Sequence, residues 1–493
     1  MTSTALFAGD GLLGSTPANF VAGTFDPDTS YGTTDVVNPS DGTVVATVPH
    51  ASPEVVDRAV QAAATAQKAW EKRSHLDRAA VLEAVRVSLG DHAEELARIL
   101  AVEQGKPLAD ALGEVGGAQN FFDFAISQKY RAVGEMVATD PGHSLQVRET
   151  PIGVVAAILP WNFPVAIFAR KVAPALMAGN AIVVKPSGLT PVSALALARL
   201  LQEAGVPDGL VSVLCGNGRD TGNALITHKD VGMVTMTGST RGGREIIKAT
   251  ADKIIPVSLE LGGKAPFIIF EDADLDLAVQ DAADARLWNS GQVCTCNEVT
   301  YVHESLHDEF VRRVAERFAA VTPTNPLTPG CTMGPLVAER ERVKVQSMLD
   351  DAVAAGAVVE TGGGRPEGAD YADGAWLAPT LLSGVTSDMD IAREEIFGPV
   401  LPVVPFATED EVVAAANSTD VGLTAYVYTK DLARSMRLMD ELEFGEVYVN
   451  QVGPEKPQGF HTGWKTSGLG GDDGAHGYDK YLRRKTTYVR YAR

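Results

Sequence analysis

The chain has 493 residues, 45% of them hydrophobic and 21% charged, which is a folded protein with more than one core rather than a disordered chain. Lys and Arg number 42 against 63 Asp and Glu, and the resulting charge of −21 repels phosphate backbones and anionic lipid, so nucleic acid and membranes are poor partners. Four cysteines in this length exclude a disulfide framework and suit a reducing compartment.

No Lys or Arg precedes Arg58, so the amino-terminal text has no basic targeting segment, and a cytoplasmic location is expected. Residues 1–50 are rich in Gly, Thr, Asp and Pro, with short β-like runs such as 44–48. Ser52-Pro53 predicts a helix N-cap with Pro at the first helical position, and Val56, Val60, Ala63 and Trp70 then fall on one helical face. Helical text continues to about Tyr130, broken at Gly105-Lys106-Pro107. Thr150 to Ala169 is 20 residues without a formal charge, long enough to cross a bilayer. Pro151, Pro160, Asn162 and Pro164 would leave backbone groups unpaired there, so a buried strand, a loop and a helix are expected.

From Ile152 strands are predicted at 152–159, 181–185, 210–214, 232–236 and 254–261. Helices between them are predicted at 165–178, 190–204, 219–227 and 240–251. Apolar strands alternating with helices imply a parallel sheet, whose ligands bind beyond the carboxyl ends of its strands. A second alternating block runs from Phe267 to about Val449, with strand-like runs at 267–270, 299–302, 400–404 and 425–428. His303 and His307 are expected at a solvated strand end and the start of the next helix. The tail from Lys480 alternates basic residues with Tyr, Thr and Val and reads as an edge strand used in assembly.

Candidate chemistry lies in the loops. Cys294 sits in the small polar turn Asn289-Ser290-Gly291-Gln292-Val293, whereas Cys215, Cys296 and Cys331 read as buried small hydrophobes. The Cys294-Thr295-Cys296 pair has no second cluster at ligand spacing, so no metal site is expected. Glu260 closes an apolar strand ahead of Gly262-Gly263 and could serve as a general base for water or as a solvated carboxylate. Asn162, between Pro160-Trp161 and Phe163-Pro164, is a rigidly aimed amide that could donate to an oxyanion or simply fill a Pro-rich turn. Lys185-Pro186-Ser187-Gly188 and Thr237-Gly238-Ser239 join strands to helices, where backbone N–H groups can approach phosphate; neither is a dinucleotide fingerprint.

In order and spacing, PWNFP (160–164), KPS (185–187), GST (238–240), LELGGK (259–264), GQVC (291–294) and EEIFGP (394–399) resemble the aldehyde dehydrogenase superfamily over nearly the whole chain. The resemblance implies an α/β fold: a Rossmann-type cofactor domain at 1–129 and 151–262, an α/β catalytic domain at 263–472, and a small oligomerisation β-element at 130–150 and 473–493. Those last two segments would pair across subunits, giving a homodimer or homotetramer.

It also implies Cys294 as nucleophile, Asn162 as oxyanion donor and Glu260 as the base that activates water. An NAD or NADP site would comprise Trp161, Lys185, Ser187, Gly188, Gly238, Ser239, Glu395 and Phe397. Gly188 departs from the Glu carried by many NAD-preferring relatives, so use of both NAD and NADP is expected, with Arg219 or Arg241 as counter-charge.

The text from Glu455 to Gly477 resembles bacterial lactaldehyde and glycolaldehyde dehydrogenases, whose pocket residues match Arg170, Glu455 and His461; Thr295 departs from the Asn of those enzymes. A small 2-hydroxy aldehyde is therefore the expected substrate. A semialdehyde or aliphatic aldehyde, a coenzyme A-acylating reaction, a cysteine hydrolase and a non-catalytic protein of the same fold are the alternatives.

Overall fold

Strands buried at nearly every position need cover on both faces, and Val154–Ile158, Ala181–Lys185, Val211–Val213, Met233–Thr237 and Val257–Glu260 have it. In the computed structural model, which describes residues 17–492, these five pair in parallel. Residues 1–16 and 493, which belong to the expected cofactor and oligomerisation segments, lie outside the described residues. Asn19–Val21 and Thr24–Asp26 extend one edge of this sheet and Gly468–Leu469 the other, giving eight strands.

The covering helices follow local rules. Ser52 accepts from the Val55 N–H at 3.3 Å and caps Pro53–Trp70, whose Val56, Val60, Ala63 and Trp70 are all buried. The break at Gly105-Lys106-Pro107 separates helices Ala93–Glu103 and Leu108–Ser127. The uncharged Thr150–Ala169 stretch is strand, loop and the start of helix Pro164–Met177. Among the described residues no helix is long and apolar enough to cross a membrane.

A second sheet has seven strands in the order Val358–Thr361, Thr380–Ser383, Val400–Phe406, Asn297–His303, Ala265–Ile269, Thr424–Tyr428, Glu446–Val449. Every pair is parallel except the first. Alternation along one strand shows how it is covered: Phe267 and Ile269 join the core of helices Leu275–Leu287 and His307–Ala319, while Ile268 packs on the opposite side with Val345, Val412 and Leu438. His303 ends its strand and His307 opens the next helix.

One expectation changes. The strand expected at 254–261 begins only at Val257, because Ile254 is left-handed (φ 51°) and 92% exposed after the turn Ala251–Lys253. The helix expected at 219–227 is present as a π-helical turn, Gly218–Gly222, running into the α-helix Asn223–Thr227. Within one chain, the two segments expected to pair across subunits form a sheet together. Leu482–Arg490 runs antiparallel to His143–Pro151 over nine residues, with Gly134–Val137 on the far side. Arg131, on Asp479 and Glu149, adds ion pairs within and between the two segments.

Candidate active site

Cys294 follows a backbone that most side chains disfavour. Asn289 and Ser290 are left-handed (φ 49° and 56°), and Gly291 (φ 73°) packs where a Cβ would collide with the Gly398 carbonyl. Gln292 holds the turn: its Nε2 donates to the Asn289 carbonyl at 3.0 Å, and its Oε1 accepts from the Val337 N–H at 2.9 Å. On the other side, the Tyr426 hydroxyl donates to the Thr295 carbonyl at 2.5 Å. Cys294 itself is only partly buried, whereas Cys215 and Cys296 are enclosed and burial pushes their thiols up, to about 12 and about 11. Cys331, expected inside, is partly exposed.

Asn162 reaches this turn from the end of strand Val154–Ile158. Its Nδ2 donates to the Gln292 carbonyl at 3.0 Å, within two residues of the thiol. Its own carbonyl accepts from Lys106 Nζ at 2.8 Å and Asn289 Nδ2 at 3.0 Å. Lys106 pairs with Glu114 Oε2 at 2.5 Å, and Glu114 Oε1 accepts from the Val165 and Ala166 N–H groups at the start of helix Pro164–Met177. Both ends of the Asn162 loop are thus fixed by one buried ion pair.

Glu260 closes its strand 1% exposed, and neither carboxylate oxygen has a hydrogen-bond partner. Burial pushes its pKa up. His461 Nε2 lies 3.6 Å from Glu260 Oε2, and His461 Nδ1 lies 3.2 Å from Glu446 Oε2. Burial opposes charge on that ring, but Glu446 and Glu260 outweigh it and hold its pKa well above the ordinary histidine value.

A cavity of about 360 Å³ opens at Cys294. Helix Leu108–Ser127 lines it with Ala109, Gly113 and Gly117 beside Asn120 and Phe121, and Arg170 and Glu455 line it too. Arg170 Nη2 contacts Glu455 at 2.6 Å and Asp473 at 3.0 Å, and its guanidinium lies 4.6 Å from the centre of the Phe121 ring. Arg170 Nε is buried without a partner. His461 is not part of this lining; it sits 2% exposed on the Glu260 side of Cys294.

The remaining candidates form a polar cradle beyond the strand ends. Lys185 is 5% exposed, bonds only the Pro186 carbonyl at 2.9 Å and, among the described residues, has no carboxylate partner. Burial lowers its pKa to about 8. Ser187 Oγ accepts from the Leu189 N–H at 3.2 Å, and a Cβ on Gly188 would meet nothing within 4 Å. The Gly238 N–H donates to the Glu260 carbonyl at 2.9 Å, and Ser239 caps helix Thr240–Thr250. Glu395 Oε1 accepts from the Gly263 N–H at 3.0 Å, and burial with the Glu298 charge raises its pKa to about 7. Phe397 is left-handed (φ 59°) and meets Trp161 edge-on, ring centres 5.2 Å apart. A buried ammonium without a counter-ion, a capped helix start and an open glycine are a donor set that fits ribose hydroxyls and phosphate. Arg219 and Arg241 stand exposed and make no ion pair among the described residues.

Cys294 therefore has Asn162, Glu260 and His461 around it, with Arg170 and Glu455 on the cavity wall. Residues that sequence reasoning missed hold these in place: Lys106 and Glu114 beneath Asn162, Glu446 beside His461, and Glu298. Glu298 accepts from Lys264 at 3.2 Å, Arg286 at 2.9 Å and the Ile396 and Phe397 N–H groups at 2.6 and 3.2 Å, so it fixes the EEIFGP loop. The Lys in Gly-Lys-Pro was visible only as a helix break; a charged residue flanked by breakers is the signal that could have flagged it.

Residues 25–487 match the aldehyde dehydrogenase family. Over 487 residues, 99% of both chains, the sequence is 72% identical to 3,6-anhydro-alpha-L-galactose dehydrogenase of Streptomyces coelicolor. It is 41% identical to lactaldehyde dehydrogenase of Escherichia coli over 457 residues, 92% of this chain and 95% of that one. The solved structure of 3,6-anhydro-L-galactose dehydrogenase in complex with NAP aligns at a TM-score of 0.94 and 42% identity, covering 96% of this chain and 100% of that chain.

Proposed function

The chain belongs to the aldehyde dehydrogenase family, oxidoreductases that use NAD(P) on aldehydes, and from that premise we propose that it oxidises a 2-hydroxy aldehyde to the carboxylic acid. The observation that carries the substrate class is Arg170 on the cavity wall, with a buried Nε lacking a partner and both Glu455 and Asp473 on its terminal nitrogen. A donor in that position rewards a hydroxyl near the aldehyde carbon, and a buried site built for a hydroxyl rejects analogues that lack one. A semialdehyde fits less well, because two carboxylates already compensate the Arg170 charge. Lactaldehyde and glycolaldehyde belong to the class. So does the open-chain form of 3,6-anhydro-L-galactose, which carries a hydroxyl beside its aldehyde and is favoured by the 72% identical relative.

In this reading Cys294 Sγ attacks the aldehyde carbon and forms a thiohemiacetal, whose oxyanion accepts from Asn162 Nδ2 and the Cys294 N–H. When bound, the nicotinamide coenzyme supplies the acceptor for the hydride leaving that carbon. Glu260 takes a proton from water, which adds to the resulting thioester and releases the acid and the free thiol. Glu260 also disfavours the coenzyme A-acylating alternative, which needs no hydrolytic base. Lys185 and Glu395 would hold the coenzyme riboses, Ser187, Gly238, Ser239 and Trp161 its phosphates, and Phe397 would pack beside the nicotinamide ribose; Gly188 leaves room for a 2′-phosphate.

Residues 17–129 and 151–262 act as the cofactor domain and 263–472 as the catalytic domain in this proposal. The sheet of 130–150 and 473–492 serves assembly into a dimer or tetramer, in the cytoplasm.

Initial rates with lactaldehyde, glycolaldehyde, 3,6-anhydro-L-galactose, succinate semialdehyde and an aliphatic aldehyde, each with NAD and NADP, test the reading. Cys294→Ala is the blank. The hydroxyaldehydes should give the highest kcat/KM; preference for the semialdehyde or the aliphatic aldehyde removes the substrate assignment.

A further inference from the structure

Helix Pro164–Met177 carries two cations in succession, and the segment ahead of helix Gly474–Asp479 carries two carboxylates that meet them. Arg170 pairs with Asp473 at 3.0 Å and Lys171 with Asp472 at 2.9 Å. Asp472 is held several times over, since it also pairs with Lys480 and its backbone exchanges hydrogen bonds with His461 at 2.8 and 3.0 Å. Asp473 is different. Its side chain is 3% exposed and caps no helix, no hydrogen bond holds its buried Oδ2, and Arg170 is its ion-pair partner among the described residues. Its backbone is left-handed (φ 65°), and burial pushes its carboxyl up to about 7 against the pull of Arg170. A disfavoured backbone under a costly buried carboxylate is the kind of strain that gathers at functional sites.

We propose that Asp473 is a positioning residue for substrate selectivity, holding the Arg170 guanidinium so that its free donors meet the hydroxyl beside the aldehyde. The inference rests on the proposed function, in which Arg170 carries the preference for that hydroxyl. Glu455 and Phe121 line the cavity with Arg170, whereas Asp473 stands outside that lining. Both carboxylates contact Arg170 Nη2, Glu455 at 2.6 Å and Asp473 at 3.0 Å, so that nitrogen is fixed between a group inside the cavity and one outside it. Arg170 Nε remains without a partner. With Glu455 alone the guanidinium could pivot about a single contact.

The next residue ties in the other wall. The Gly474 N–H donates to the Pro457 carbonyl at 2.9 Å, and a Cβ on Gly474 would collide with the Gly459 carbonyl. Asp473 and Gly474 thus bring Arg170 and the Glu455 segment to one place. Lys171 and Lys480 keep the segment there through Asp472, so changing the Asp473 side chain acts on the aim of Arg170 and not on the course of the chain. A hydrogen bond weakens steeply with misalignment, so a displaced guanidinium stops rewarding the hydroxyl. Cys294, Asn162 and Glu260 are untouched, and an aldehyde without the hydroxyl loses nothing.

The test compares lactaldehyde with propanal, which differ by that one hydroxyl, in the wild type, Asp473→Asn and Arg170→Met, at a pH above the raised Asp473 value. Asn accepts a left-handed backbone, so Asp473→Asn removes the charge and little else. Its kcat/KM for lactaldehyde should fall at least about tenfold, mostly through KM, while propanal stays within about twofold. An unchanged ratio of the two aldehydes overturns the proposal, and so does an equal loss on both, which is what a merely structural residue gives. Should Asp473→Asn not fold, Asp473→Gly, to which this backbone is natural, takes the same comparison. Arg170→Met separates the two readings. Selectivity lost there but kept in Asp473→Asn overturns this proposal alone; selectivity kept in Arg170→Met overturns the substrate reading and this proposal with it.

Discussion

Lys106 Nζ lies 2.8 Å from the carbonyl oxygen of Asn162 and 2.5 Å from Glu114 Oε2, with both charged side chains fully buried. Removing one partner of such a pair leaves a charge without compensation in the core. Lys106→Met should therefore cost about 3–5 kcal/mol in urea unfolding, and it should lower kcat through misplacement of Asn162. Adding Glu114→Gln to Lys106→Met should recover part of the stability without recovering the rate. A single variant as stable as wild type would show that the pair does not hold the loop.

Asn162→Ala tests the proposed oxyanion donor directly. Loss of one such donor lowers kcat by roughly 10²–10³, with KM little changed. Steady-state kinetics with a hydroxyaldehyde, beside a thermal melt to show intact folding, measures it. An unaltered kcat would leave the oxyanion to the Cys294 N–H alone.

Because burial raises the pKa of Glu260, its carboxylate form grows as pH rises through that raised value. Thioester hydrolysis should therefore accelerate with increasing pH and level off above it. Glu260→Gln should abolish the rise and slow hydrolysis by roughly 10²–10⁴, so that a stopped-flow burst of reduced coenzyme precedes a near-absent steady state. For stability the sign is opposite. A carboxyl whose folded pKa exceeds its unfolded value favours folding in its protonated form, and that contribution is lost as pH rises from the ordinary carboxylate value through the raised one. Relative to Glu260→Gln, the wild type should lose stability across that window.

At position 188 a side chain has open space, since a Cβ would meet nothing within 4 Å. Gly188→Glu should fold normally and place a carboxylate where a coenzyme 2′-phosphate would come. The ratio of kcat/KM for NADP over NAD should fall at least about tenfold, an energetic change of ~1.4 kcal/mol from like-charge repulsion. An unchanged ratio would mean that the phosphate lies elsewhere.

Much of the fold was legible because its signals are local. The strand Ala181–Lys185 is apolar up to Val184, and the cap at Ser52 and the helix facing of Val56, Val60 and Trp70 each need only neighbours in the chain. The motifs around Cys294, Glu260 and Asn162 were legible for the same reason. The side chains that hold them were not. Lys106 acts on a carbonyl 56 residues away, Glu298 on backbone N–H groups 98 and 99 residues away, and Glu446 on a ring from another segment. No periodicity records such pairings. Nor did local text reveal the left-handed Ile254, a β-branched residue where a strand was expected, or the three-residue strand Asn19–Val21.

The pairing of Gly468–Leu469 with Leu259–Glu260 has a consequence for the newborn protein. When Glu260 leaves the ribosome, about 200 residues remain to be made before the strand that covers its edge exists. At ~5–20 residues per second that is a wait on the order of 10–40 s. During it, one flank of the first sheet is an open template for a foreign strand. Nascent chains stalled before Gly468 should accordingly be the form most dependent on chaperones.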